Sequence, residues 1–177
     1  MEHSGEFAGK SVLITGAGGG VGTALVKIFS SRGAKIIGCD STLDVMQADN
    51  FYSRHAFDLL DRNSLQSAVN TITDADGVPD IVINNAGWTR AESFEELDQA
   101  RINQEIDLNL TGVCSFSAAL AQKMAANGCG AFVFISSVNS LSHFGNPAYA
   151  AAKAGINAFA RALAVEYGQQ GLRANVV

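Results

Sequence analysis

Short apolar runs alternate along this chain with longer amphipathic stretches. Ser11–Thr15 (Ser-Val-Leu-Ile-Thr), residues 34–39 (Ala-Lys-Ile-Ile-Gly-Cys), 81–83 (Ile-Val-Ile) and 131–135 (Ala-Phe-Val-Phe-Ile) are mostly uninterrupted apolar runs. Such runs predict strands buried on both faces, the habit of a parallel sheet. His55-Ala56-Phe57 is a further brief strand candidate, and residues 42–52 read as polar and irregular with room for a short helix. Between the strands the period changes to that of a helix. Val21, Leu25, Ile28 and Phe29 fall on one stripe, ended by Arg32-Gly33. Leu65, Ala68, Val69 and Ile72 form a second stripe over 64–72, broken by Gly77-Val78-Pro79. One long helical stretch is expected over 95–124, and a last one from Tyr149 to about Tyr167. Strand and helix in strict alternation predict an α/β architecture. It is a doubly wound parallel sheet in a three-layer α/β/α arrangement, within one domain over 1–177.

The first strand breaks into Gly16-Ala17-Gly18-Gly19-Gly20-Val21-Gly22, and a helix follows. The next strand is closed by Asp40. Strand, glycine turn, helix, strand and acid is the layout of a dinucleotide site. The glycines let the backbone turn sharply and approach a pyrophosphate, to which the helix N-terminus offers free N–H groups. The spacing is Thr15-Gly16-x-x-x-Gly20-x-Gly22. A carboxylate at Asp40 accepts from both ribose hydroxyls of NAD and repels the 2′-phosphate of NADP. With no lysine or arginine in the glycine loop, NAD is expected in preference to NADP.

Three polar features lie further along. Asn84-Asn85-Ala86-Gly87 follows the strand at 81–83, at the end where open α/β sheets bind ligands. Its amides can bond neighbouring backbone or a cofactor, and a purely structural turn is the alternative. Asn109 sits inside the long helical stretch, where its amide competes for backbone bonds. It either caps a local kink or holds a functional water. Tyr149-Ala-Ala-Ala-Lys153 places a phenol and an ammonium on one helix face. Free tyrosine has a pKa of about 10, so half-ionisation near neutrality needs roughly 4 kcal/mol. A cation about 4 Å away supplies energy of that order at an effective dielectric of about 20. Such a pair makes a general acid/base for neutral pH. Taken alone it is weak evidence, and the isolated pair reads first as a half-buried tyrosine beside a solvated lysine.

The composition narrows the partners. Of 177 residues, 47% are hydrophobic and the formal net charge is −5, with no basic tract. This argues against nucleic acid or an anionic membrane as partner. The three cysteines, Cys39, Cys114 and Cys129, are odd in number and lack CxxC spacing. They read as reduced residues, with neither a disulfide frame nor a metal site. No signal peptide and no run of 18 apolar residues is evident. A cytoplasmic location is the default expectation.

In order, the Thr15–Gly22 turn, Asp58, Asn84-Asn85-Ala86-Gly87, Asn109 in Asp-Leu-Asn-Leu-Thr-Gly, Ser136-Ser137 after a strand, and Tyr149-x-x-x-Lys153 resemble the short-chain dehydrogenase/reductase family with a single Rossmann domain. The resemblance runs from about Phe7 to the last residue. It implies hydride transfer between NAD and a secondary alcohol or ketone. Tyr149 would be the general acid/base, and Ser137 would bond the same substrate oxygen. Lys153 would hold the nicotinamide ribose and lower the Tyr149 pKa, and Asn109 would hold a relay water. Gly16, Gly20, Val21, Gly22, Asp40, Asp58, Leu59, Asn85, Ala86 and Gly87 would line the cofactor, with Tyr149 and Lys153. Ser137 fits the Ser-Val pattern, whereas Ser136 gives the interval to Tyr149 that is common in the family. Family members continue past this sequence into a substrate-covering segment and a last strand, so both are expected to be missing here. Trp88, Asn139, Ser140, His143 and Phe144 flank the expected site and are pocket candidates or ordinary loop residues. The family also implies a homodimer or homotetramer, paired through the helices around Asn109 and after Tyr149. The competing reading is a non-catalytic dinucleotide sensor or scaffold.

Overall fold

A computed structural model of the chain describes residues 5–47, 49–90 and 93–177. Six strands, β1 (Ser11–Thr15), β2 (Lys35–Asp40), β3 (Ser53–Ala56), β4 (Ile81–Asn84), β5 (Gly130–Phe134) and β6 (Leu172–Val176), form one sheet in the order β3-β2-β1-β4-β5-β6. All five pairings are parallel. The helices are α1 (Gly20–Ser31), α2 (Arg62–Asp76), α3 (Gln99–Ile106), α4 (Val113–Ala126) and α5 (Pro147–Tyr167). The doubly wound α/β expectation holds.

Alternation along each strand sends successive side chains to opposite faces. Val12, Ile14, Ile36 and Ile83 pack with Val26 of α1 and with Met46 on one face. Leu13, Ile37, Val82, Phe132 and Phe134 pack with α2, α4 and α5 on the other, through residues such as Val69, Phe116 and Ile156. These two apolar layers are what make the sheet the middle of three.

Several boundaries differ from the sequence expectation, each for a physical reason. β3 occupies Ser53–Ala56, two residues earlier than the apolar triplet at 55–57 suggests. Its polar members are anchored: Ser53 Oγ donates to Asp76 Oδ2 at 2.7 Å, and His55 Nε2 lies 2.6 Å from the same oxygen. Phe57 leaves the strand and stacks on Phe116, ring centroids 4.8 Å apart. The stretch expected as one helix from residue 95 begins at Gln99, because Asp98 caps it by accepting from Arg101 N. It is interrupted by a π turn over Asp107–Gly112. The last helix starts at Pro147, two residues before Tyr149, capped by Asn146. The irregular segment at 42–52 contains a 3-10 turn, Leu43–Val45.

The strand order reverses between β1 and β4. That switch point opens a crevice beyond the carboxyl ends of the strands, where doubly wound sheets take their ligands.

Candidate active site

At the end of β1, Gly16 turns with φ 64°. A Cβ there would lie 2.9 Å from Ala86 Cα, and one on Gly22 would lie 1.9 Å from the Gly16 carbonyl oxygen. Those two glycines are therefore demanded by close backbone approach. Gly20 is different, since a Cβ built on it meets only open space. Gly19 caps α1 without any side-chain bond. The N–H groups of Gly20, Val21 and Gly22 thus lack helical partners and sit at the positive end of the helix.

Asn85 ties this turn to the end of β4. Its Nδ2 donates to the carbonyls of Thr15 and Gly16 at 3.0 and 3.1 Å. Thr15 Oγ1 accepts from the N–H groups of Asn85 and Ala86. Of the two roles open to these amides, bonding to neighbouring backbone is the one seen for Asn85. Asp40 reaches the same turn: its Oδ2 accepts from Gly18 N at 2.9 Å and its Oδ1 from Ser41 N at 2.8 Å.

These groups line a cleft of about 570 Å³. It is bounded by Thr15, Gly16, Gly18 to Gly22, Asp40, Asp58, Leu59, Asn85, Ala86 and Gly87, with Val45, Trp88 and Leu108. Every residue expected along the cofactor, apart from Tyr149 and Lys153, borders this one cleft. Unpartnered helix N–H groups, one glycine, Gly20, without packing demand and an acid on the rim fit a dinucleotide.

Two of the expected chemical residues, Lys153 and Asn109, lie against Gly87 of its lining. Lys153 is 4% exposed, and its Nζ donates to the Ile135 carbonyl at 2.8 Å. Burial pushes its pKa down to about 8. The ammonium lies 5.6 Å from the centre of the Tyr149 ring, one helical turn away. A Cβ added to Gly87 would lie 3.0 Å from Asn109 Oδ1 and 3.3 Å from Lys153 Nζ. The lysine and the asparagine therefore converge on Gly87, which lines the cleft.

Asn109 lies within the π turn, fully buried. Its Oδ1 accepts from Trp88 N at 3.0 Å, and its Nδ2 donates to Trp88 O at 2.7 Å. The amide thus works as a bracket on the loop after β4. The segment holding Asn109 is a π turn, of the kind that recurs at functional sites.

The two serines after β5 have different surroundings. Ser136 Oγ donates to Asn157 Oδ1 at 2.7 Å and is committed to α5. Ser137 Oγ accepts from Asn139 N at 3.1 Å and caps a 3-10 turn over Val138–Ser140. Among the described residues nothing accepts the Ser137 hydroxyl proton. Of the pocket candidates, Trp88 borders the cleft, with Arg90 stacked 4.9 Å from its ring. Asn139 Nδ2 donates to the Gly145 carbonyl, and Ser140 Oγ to the Ser137 carbonyl. His143 lies in an exposed loop with its ring 6.2 Å from that of Phe94, and Phe144 is exposed.

Sequence reasoning passed over Glu105 and Asn146. Glu105 is 1% exposed, and Asn146 is the one described non-glycine residue with positive φ, 40°. Gly145-Asn146-Pro147 carried a helix-start signal, an Asn cap before Pro. Glu105 carried none, since a glutamate on a polar helix is commonplace.

The fold and cleft define a dinucleotide-binding protein of the doubly wound α/β class. More narrowly, residues 10–177 match the short chain dehydrogenase family, and the chain belongs to it. An uncharacterized oxidoreductase of Schizosaccharomyces pombe is 36% identical over 95% of this chain and 65% of its own length. The chain thus spans about two thirds of that curated relative. A Brucella melitensis structure described as ribose-5-phosphate isomerase superposes with a TM-score of 0.92 at 31% identity, over 98% of this chain and 69% of that one. A gluconate 5-dehydrogenase of Burkholderia cenocepacia, in complex with NADP and tartrate, gives 0.89 at 26%, over 99% of this chain and 71% of that one.

Proposed function

We propose that the protein transfers a hydride between NAD and a secondary alcohol or ketone, with Tyr149 as general acid/base. The observation that carries this reading is the convergence of Lys153 and Asn109 beside Gly87 of the cleft lining, with Lys153 one helical turn from Tyr149. One fold serves unrelated chemistries, as the descriptions of the similar structures illustrate, so the argument rests on these side chains.

The glycine turn and the start of α1 would hold the pyrophosphate, with Asp40 on the adenosine ribose and Asp58 and Leu59 near the adenine. The bound nicotinamide supplies or accepts the hydride. Tyr149 gives or takes the proton at the substrate oxygen. Ser137, with its hydroxyl proton free, donates to the same oxygen and steadies the charge developing there. Lys153 favours the ionised phenol by its charge. Asn109 positions a water that links Lys153 to solvent.

NAD is preferred because the Asp40 carboxylate is fixed on the rim by Gly18 and Ser41. A 2′-phosphate there would meet a second negative charge. NADP in the gluconate 5-dehydrogenase belongs to that protein, so the preference here rests on Asp40. Ala151, Ala154, Ala158, Ala162 and Val165 form an exposed stripe of small and apolar residues on α5, which supports pairing of subunits as a homodimer or homotetramer through this helix. The protein works in the cytoplasm on this reading. Among the described residues no helix is long and apolar enough to cross a membrane.

The deciding experiment is Tyr149→Phe, assayed for NADH formation over a panel of secondary alcohols beside calorimetric titration with NAD. Lost turnover with retained binding supports the assignment, and full activity ends it. Binding without turnover on any panel member in the parent protein favours the sensor or scaffold reading.

A further inference from the structure

Glu105 is a carboxylate taken almost wholly out of water, and among the described residues it forms no ion pair. Burying such a charge is costly unless donors surround it. Here three N–H groups do so, each from a different part of the fold. Oε2 accepts from Asn109 Nδ2 at 2.9 Å. Oε1 accepts from Arg90 N at 3.1 Å and from Asn146 Nδ2 at 3.0 Å. Those partners belong to the π turn, to the loop that carries Gly87 and Trp88, and to the cap of the helix that carries Tyr149. Asn146 is doubly used, since its Oδ1 accepts from Tyr149 N at 3.0 Å while its Nδ2 also bonds Arg90 O and Thr89 Oγ1.

The Asn109 amide cannot simply turn over. Its Oδ1 faces Trp88 N, and its Nδ2 faces the carbonyls of Trp88 and Glu105 as well as the Glu105 carboxylate. A flip would set donor against donor and acceptor against acceptors. Its orientation is set by Trp88 and by two acceptors at Glu105, the backbone carbonyl and the carboxylate, and the carboxylate ties that bracket to Arg90 and Asn146.

We infer that Glu105 is a positioning residue, which as a carboxylate locks Asn109, the Trp88 loop and the N-terminus of the Tyr149 helix into one geometry. The inference deepens the proposed function and rests on it for its kinetic consequence alone. Its structural content concerns the free protein.

The test uses Glu105→Gln in the full-length natural chain. The substitution keeps size and shape, but its NH2 must oppose either Asn109 Nδ2 or the donors from Arg90 and Asn146. Trp88 is the single tryptophan, so its fluorescence reports this site alone. In Glu105→Gln, Trp88 emission without cofactor shifts to the red and becomes more easily quenched by acrylamide. With a substrate in hand, kcat falls by about tenfold or more while KM for NAD stays within about threefold, the pattern of lost alignment. Glu105→Asp, which keeps the charge but withdraws it by one methylene, serves as the second variant and shows the same changes if Glu105→Gln does not fold. Trp88 emission and quenching identical to the parent in a folded variant overturn the inference, even if the melting temperature drops. Absence of turnover in the parent would count against the redox reading, and the Trp88 comparison would still decide the role of Glu105.

Discussion

The ammonium of Lys153 lies 2.8 Å from the carbonyl oxygen of Ile135, and nearly all of this lysine is removed from water. One backbone acceptor does not replace a hydration shell, so the neutral form is favoured and the pKa falls to about 8. In the unfolded chain it returns to about 10.4. Between those values the unfolded state binds more protons, and stability therefore rises with pH. Below about pH 8 the full cost of the buried charge is present. Lys153→Met is expected to gain on the parent by up to about 3 kcal/mol at pH 7, the equivalent of such a shift, less the lost bond to Ile135. The difference should shrink from pH 8 towards 10.5. Urea melts of both proteins at pH 7 and 9.5 check this, and a pH-independent gap would contradict it.

Asp40 makes its bonds to Gly18 and Ser41 through the carboxylate. If Asp40 holds the ribose as proposed, Asp40→Ser removes the charge that bars a 2′-phosphate and weakens that grip. NAD affinity is expected to fall about tenfold or more, as for loss of a charged hydrogen bond. NADP affinity is expected to rise relative to it. Titrating both dinucleotides against both proteins is the measurement, and an unchanged ratio would refute the proposed preference.

Gly22→Ala forces a methyl group to within 1.9 Å of the Gly16 carbonyl oxygen and 2.9 Å of Ala17 Cα, both backbone. The turn must open, at a cost of about 1–3 kcal/mol typical of overpacking. NAD binding should be lost with it. Gly20→Ala, which meets no protein atom, should leave the melting temperature unchanged and weaken NAD binding alone. Thermal melts and calorimetry on the pair separate packing demand from cofactor demand.

Asp80 fastens the start of β4 to β1. Burial raises its pKa, but bonds from the Lys10 ammonium and from Ser11 N and Oγ outweigh it, leaving the carboxyl below its usual range. A depressed carboxyl contributes stability above the unfolded pKa, near 4, and loses it as pH falls through the folded value. Asp80→Asn is expected to cost about 1 kcal/mol at pH 7, a modest figure because Lys10 is largely exposed. Chemical denaturation at pH 7 and pH 3 should show the gap closing in acid.

What could be read from the residues, and what could not, follows from the range of the interactions. The buried strands, the glycine turn and the Tyr149–Lys153 face are local patterns, each contained within a few residues, and they stand where expected. Asn109 was legible as an ill-suited helix residue, but the π turn around it depends on Trp88, 21 positions earlier. β3 looks weak locally because its polar side chains are satisfied by Asp76, at the far end of α2. Glu105 was invisible for the same reason: its donors lie at residues 90, 109 and 146.

The strand order β3-β2-β1-β4-β5-β6 puts the first two βα units on one side of the switch point and the later ones on the other. On the proposed function, Asp40, the acid that selects the carrier, lies in the first third of the chain, and the proton-handling side chains lie in the last half. The two can be altered by separate sets of substitutions. If the proposed function holds, a lineage, or an engineer, could exchange one redox carrier for another at Asp40 while leaving Ser137 and Tyr149 alone.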